Sequence, residues 1–232
     1  MIAKPLGMLL NFLYGILGNY GLSIIVFTVI VKLILLPLAI QQVRQTKQMA
    51  ELQPKIKELQ EKYKNDQETL NKKTMELWKE HKANPVGGCL PLLIQMPIIF
   101  GLFTLLREPV KYIADPNFSK AVNESFLWIP NLSQPDPSLI PNMPFSLSIS
   151  ILAILAAVTT YFSMSTATTG SPQQNQQMKT MNTVFPFLIF YWAGSFPAGL
   201  SLYWVVSNVF QMVQQYVMSK SNITAKPKEE LK

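Results

Sequence analysis

One formal charge interrupts the apolar stretch GLSIIVFTVIVKLILLPLAI, Gly21–Ile40: the ammonium of Lys32. Placing such a group at the centre of a spanning helix costs about 2.5–3.5 kcal/mol even on the gentlest insertion scale. A sequence that keeps it must compensate it or use it. Thr28 lies one turn earlier on the same helix face. Gln95 sits near the middle of a second apolar run, and Ser207, Asn208, Gln211, Gln214 and Gln215 form a polar band along the last one. None of these runs contains Asp or Glu, so Lys32 has no intramembrane counter-ion of its own. The lysine must then lose its proton or stand in water held by nearby amides and hydroxyls. A wet, electropositive recess of that kind suits a peptide segment bearing Asp or Glu, or bare polar backbone. A competing reading lets Lys32 snorkel to the headgroups, although about 18 Å of helix separates it from Arg44. Gln95 and Asn208 equally suit plain helix–helix glue.

Other chemistry has little to work with. There is one cysteine, Cys89, and one histidine, His81. That excludes an internal disulfide and any multi-cysteine metal site. With no His or Asp inside the expected spans, Ser/His and paired-Asp catalysis are excluded as well. The chain is expected to be no enzyme and to bind no cofactor. A small-solute or anion transporter is the rival class, because a midplane lysine fits anion passage. Repeat symmetry and paired broken helices, which such proteins tend to show, are not evident.

The elements that must position these residues follow from hydropathy. Of the 232 residues 49% are hydrophobic and 14% charged, and the charges lie between apolar runs. The expected fold is an all-α integral membrane protein with five spans. Residues 1–20 place Leu6, Leu9, Leu10, Leu13, Ile16 and Leu17 at helical spacing, an amphipathic helix for the interface. This start lacks the pattern of a cleavable signal. The spans are 21–41, 84–107, 145–164, 180–195 and 198–218. Between the first two, residues 42–83 read as an antiparallel helical hairpin outside the membrane, with Leu52, Ile56, Leu59 and Tyr63 facing Leu70, Thr74, Leu77 and His81. Pro54 suits the first turn of its first helix. Glu58–Lys62 and Glu68–Lys72 are i, i+4 pairs, and Asn65-Asp66 makes the turn. Asn84-Pro85 is a helix start. Residues 108–144 form an irregular loop whose Phe126 and Trp128 touch the interface. Residues 165–179 are a polar loop and 219–232 a polar tail.

The hairpin, the 165–179 loop and the tail carry fifteen Lys or Arg, whereas the opposite side has Lys4, Arg107, Lys111 and Lys120. The positive-inside rule therefore puts the hairpin and C-terminus in the cytoplasm and the N-terminus outside.

Four stretches are specific enough to compare with known proteins: TVIVKLILLPL at 28–38, LQPKIKELQEKY at 52–63, NPVGGCLPLLIQMPI at 84–98 and FPAGLSLYWVVSNVFQMVQQ at 196–215. Together they resemble the bacterial YidC family of membrane protein insertases, in its short five-span form. The resemblance implies a hydrophilic groove, open to the cytoplasm and to lipid and closed on the outer side. It implies that a basic residue of the first span, usually arginine, sits in that groove. The groove would hold the polar part of a nascent membrane protein while the apolar part slides into lipid. It further implies partners: nascent membrane proteins, the ribosome and the Sec translocon, with membrane lipid around them and no direct DNA binding. The site is the bacterial plasma membrane. Position by position, Lys32, Thr28, Gln95, Trp204, Ser207, Asn208 and Gln211 become the groove residues. Lys32 departs from the family's usual arginine, exchanging a permanent fork of donors for a point charge.

Overall fold

The computed structural model describes residues 3–81, 90–113, 121, 123–140, 149–168 and 176–220. Among these the regular structure is helical, apart from one isolated bridge between Phe126 and Ile129. The helices are α1 (Ala3–Leu17), α2 (Tyr20–Ile34), α3 (Leu36–Lys62), α4 (Gln67–Glu80), α5 (Leu90–Arg107), α6 (Pro109–Tyr112), α7 (Ile151–Thr168), α8 (Gln176–Ser195) and α9 (Ala198–Lys220). Helix α9 joins two packed groups. On one side it packs with α1, α2 and α5 around Leu10, Ile24, Phe27, Leu102, Leu105 and Tyr203. On the other, Trp204 and Val205 pack on Ala153 and Ala156 of α7 and on Ile189 and Ala193 of α8. The alanines let those backbones approach closely, the usual device where hydrophobic collapse cannot drive helix association.

The first apolar stretch is not one rod. Helix α2 stops at Ile34, α3 starts at Leu36, and the two are bent by 59°. Pro37 is the cause: it has no N–H for the carbonyl of Leu33, and its ring disfavours helical backbone in the residue before it. No single described helix is long and apolar enough to cross a membrane, but the bent pair Tyr20–Ile34 and Leu36–Gln45 together is. Helix α3 then runs unbroken to Lys62, so the expected division between residues 41 and 42 marks no structural break. Pro54 lies inside that helix rather than in a first turn. The break at Leu35 already gives α3 its start, and on either side of Pro54 the side chains of Leu52 and Ile56 hold the helix against Leu77 and Trp78. Helix α7 begins at Ile151, capped by Ser150, whose hydroxyl accepts from the amide of Ala153 at 3.2 Å; the expected start at 145 lies outside the described residues. Helix α8 is described from Gln176 and contains the expected span 180–195. The expected helix start at Asn84-Pro85 lies outside the described residues.

Helices α3 and α4 form the antiparallel hairpin. Leu52 and Ile56 are buried against Leu77 and Trp78. The chain reverses at Tyr63–Asn65, and Asp66 caps α4 by accepting from the amide of Thr69 at 3.0 Å. The two expected i, i+4 ion pairs are not closed. Among the described residues of the hairpin, Lys73 and Glu76 form an ion pair at 2.8 Å. Both of its side chains are nearly half exposed, so solvent competition leaves little to choose between such pairings.

The hydrogen bonds from Thr69 hold the Asp66 carboxyl below the usual carboxylate range. A depressed folded pKa means the cap is complete above the unfolded value and is lost as the pH falls through the folded one. Amide exchange at Thr69 should therefore lose protection on acidification, whereas in Asp66→Ala protein the low protection should barely change over that range.

Between α6 and α7 the described residues 121 and 123–140 are irregular, and part of this segment packs onto the helix ends, in keeping with an ordered but irregular loop. Ala121, Ile129 and Leu132 are buried in the main core. The starts of α7 and α9 take acceptors from this segment.

Candidate client-binding site around Lys32

Helix α2 starts at a corner built for it. Gly18 adopts a left-handed φ of 61° after α1, and Asn19 then caps α2 by accepting from the amide of Leu22 at 2.9 Å. From that fixed start Ile24, Phe27, Thr28 and Val31 point into the packed interior. Lys32, the next residue, is half-buried, and Leu33 and Ile34 are exposed. Lys32 therefore stands on the border between the packed face of α2 and its open face.

The break at Leu35 changes the energetics of that ammonium. A lysine in mid-helix sees no net dipole, but Lys32 occupies the last turn of α2. A carbonyl end favours a cation, by about 0.3–1 kcal/mol at an exposed free terminus. Here the Leu35 amide already donates to the Val31 and Leu33 carbonyls and the positive end of α3 begins at Leu36, so only part of that gain remains. Among the described residues Lys32 makes no ion pair. Pro37 was the signal in the sequence for this arrangement.

The other expected site residues divide into two sets. Thr28 is fully buried, one turn before Lys32, and its hydroxyl donates to the carbonyl of Ile24 at 2.6 Å. Ser207 is buried one turn after Tyr203, and half-buried Gln211 comes one turn later. These share the face of α9 that carries Tyr203, which is part of the core formed with α2. Gln95 lies on α5, and its side chain is outside the described residues.

Trp204 and Asn208 belong to the second set, because their polar atoms are engaged by α7. The Trp204 indole N–H donates to Thr160 Oγ1 at 3.0 Å. The Asn208 amide donates to Thr160 Oγ1 at 2.9 Å and to Thr159 Oγ1 at 3.2 Å. Thr160, itself buried, donates its hydroxyl proton to the carbonyl of Ala156 at 2.6 Å. Its oxygen thus accepts two bonds and donates one, which exhausts a hydroxyl's capacity. Further along, Thr166 donates to Gln215 Oε1. Three rungs therefore join α7 to α9. For Asn208 this is the interhelical glue already weighed from the sequence. Sequence reading missed Thr159 and Thr160; the only signal was two adjacent hydroxyls within an apolar run.

Chemically, the arrangement can hold a mobile cation beside a helix end, with hydroxyl and amide groups along the facing helix. It offers electrostatic and hydrogen-bonding contacts to a polar guest.

The sequence profile of the 60Kd inner membrane protein family matches residues 12–226. A protein named membrane protein insertase YidC from Caldanaerobacter subterraneus subsp. tengcongensis is 42% identical over 225 residues, covering 97% of this chain and 97% of that one. The protein of the same name from Fusobacterium nucleatum is 39% identical, covering 95% and 96%. The one from Geobacter sulfurreducens is 38% identical, and there the match covers 98% of this chain but 39% of the longer relative. The structure is similar to a crystal structure described as an active YidC insertase with its first transmembrane domain resolved. The TM-score is 0.67 and the identity 28%, over 93% of this chain and 45% of that one. The chain belongs to the 60Kd inner membrane protein family, alongside the membrane protein insertases named YidC.

Proposed function

We propose that this chain is a membrane protein insertase of the bacterial inner membrane, one that receives the polar part of a nascent membrane protein beside Lys32 and releases the apolar part to lipid. The observation that carries the site is the position of Lys32 where α2 breaks, at the edge of the packed core, with no carboxylate paired to it among the described residues. Burial of the client's apolar segment supplies the driving force, at about 25 cal/mol per Å². The protein's task is to lower the barrier for the polar end that must cross with it. A cation and hydroxyl-lined helix faces replace part of the water that this end gives up.

The remaining parts of the reading follow from that. Five apolar segments, the first of them bent, bound a recess open to the cytoplasm. Exposed apolar side chains such as Phe162 on α7 and Phe187 and Tyr191 on α8 suit contact with lipid or with an arriving apolar segment. The positive-inside bias puts the hairpin in the cytoplasm, where its basic surface suits a ribosome; cooperation with the Sec translocon fits the same placement. Reconstitution tests the whole. Liposomes containing the purified protein should protect the outer tail of a newly synthesised single-span client from protease, and empty liposomes should not. Failure to insert any client, together with sustained flux of a small anion, would replace this reading with a transporter.

A further inference from the structure

A row of aromatic rings ends on a guanidinium at the end of the bundle away from the hairpin. Arg107 closes the apolar run of α5, and Glu108 and Lys111 follow it. Such a position lies at the boundary between hydrocarbon and headgroups, where the phosphates of lipids stand. The Arg107 guanidinium sits over the ring of Phe103, one turn deeper in the apolar run, at 5.8 Å from its centroid. Phe103 meets Phe196 edge-on, with centroids 5.3 Å apart. Phe196 belongs to the turn between α8 and α9, and it stacks with Trp192 of α8 at 6.3 Å. The row thus crosses from α5 to α8. Phe103 and Phe196 are half-buried against the main core, whereas Trp192 is 40% exposed and Arg107 is exposed as well. The charges at this corner do not cancel. Glu108 holds Lys111 at 3.1 Å, and among the described residues no carboxylate pairs with Arg107.

We infer that Arg107, Phe103, Phe196 and Trp192 form a binding site for one anionic phospholipid in the leaflet away from the hairpin. A guanidinium over a ring spends one face on it and keeps its N–H edge for an acceptor, and its planar fork matches a phosphate. The ring of Phe103 also presets the cation, so less side-chain freedom is lost when a ligand arrives. The rings extend the contact from the charged end onto apolar surface, which an acyl chain can cover. A water-soluble anion gains nothing from that surface, and a lipid with its phosphate at the same depth gains from both parts. The inference goes beyond the insertase reading and makes no use of Lys32, so either can fail alone.

The test uses the full chain purified in detergent, with phosphatidylglycerol and phosphatidylcholine of identical acyl chains as probes and native mass spectrometry as the readout. The parent protein should retain one phosphatidylglycerol about fivefold better than one phosphatidylcholine, the upper end for an exposed charge pair. Arg107→Gln should abolish that preference. Lys220→Gln removes the same charge from a lysine that lies over Tyr216, at the far end of α9, and should keep the preference within about twofold. Trp192→Leu should lower retention of both lipids alike, by about threefold, because it removes apolar contact and no charge. Excess inorganic phosphate should leave the bound lipid in place. An unchanged preference in Arg107→Gln, or an equal loss in Lys220→Gln, overturns the site. Unchanged retention in Trp192→Leu removes the rings from it. Displacement of the lipid by inorganic phosphate, or by a soluble acidic peptide, overturns the assignment to lipid.

Discussion

Lys32→Ala should slow insertion of a client with an acidic outer tail by about tenfold and leave a neutral-tailed client within about twofold. Two unit charges about 4 Å apart attract by about 4 kcal/mol at an effective dielectric constant near 20. Water in the recess and the guest's own desolvation reduce that to on the order of 1–2 kcal/mol, and each 1.4 kcal/mol is a factor of ten. A neutral tail loses only a hydrogen-bond donor. Lys32→Arg should keep the preference, because arginine remains charged in any surroundings. Lys32→Glu should reverse it, because a carboxylate repels the acidic tail and sits unfavourably at the C-terminal end of α2. Initial rates of protease protection for paired clients differing only in tail charge measure all four proteins. Equal slowing of both clients would leave the ammonium a structural part.

Thr160→Val carries the second large effect. Valine has the same shape but no hydroxyl, so the Trp204 indole N–H and one Asn208 N–H lose their shared acceptor. In water-soluble proteins each orphaned donor costs about 1–3 kcal/mol. Interhelical hydrogen bonds within membranes are worth less, about 0.6 kcal/mol on average and up to about 1.7, because the separated helices find other partners. A loss of about 1–3 kcal/mol for the whole hub is expected, read as a lower denaturation midpoint in detergent. Thr160→Ser restores the hydroxyl and should recover most of it. Thr159→Val should cost less, because Thr159 accepts a single, longer bond from Asn208. Equal stability of Thr160→Val and Thr160→Ser would show that the hub is merely packed.

The inward faces of Thr28 and Ser207 were legible because a hydroxyl in an apolar run stands out and helical spacing fixes its face. The bend was legible in principle, since Leu36-Pro37 is a stop signal; an uninterrupted hydropathy run concealed it. The roles of Trp204 and Asn208 were not legible. Residues 207 and 208 differ by about 100° around a helix, and only the packing decides that one faces α2 while the other reaches α7. The packing of the segment between α6 and α7 on the helix ends was invisible for a related reason. The amides of Ala198, Gly199 and Leu152 find their acceptors in the Gln134 and Leu132 carbonyls and the Asp136 carboxylate, pairings far enough along the chain that no local pattern encodes them.

The most direct test places a photo-crosslinking side chain at position 32 and presents the protein, in native membranes, with ribosomes stalled on a membrane-protein client. A recess that takes in the client's polar part predicts crosslinks from position 32 to that part of the nascent chain, at lengths where its apolar segment has just left the ribosome. Crosslinks to lipid alone, at every length, would contradict it.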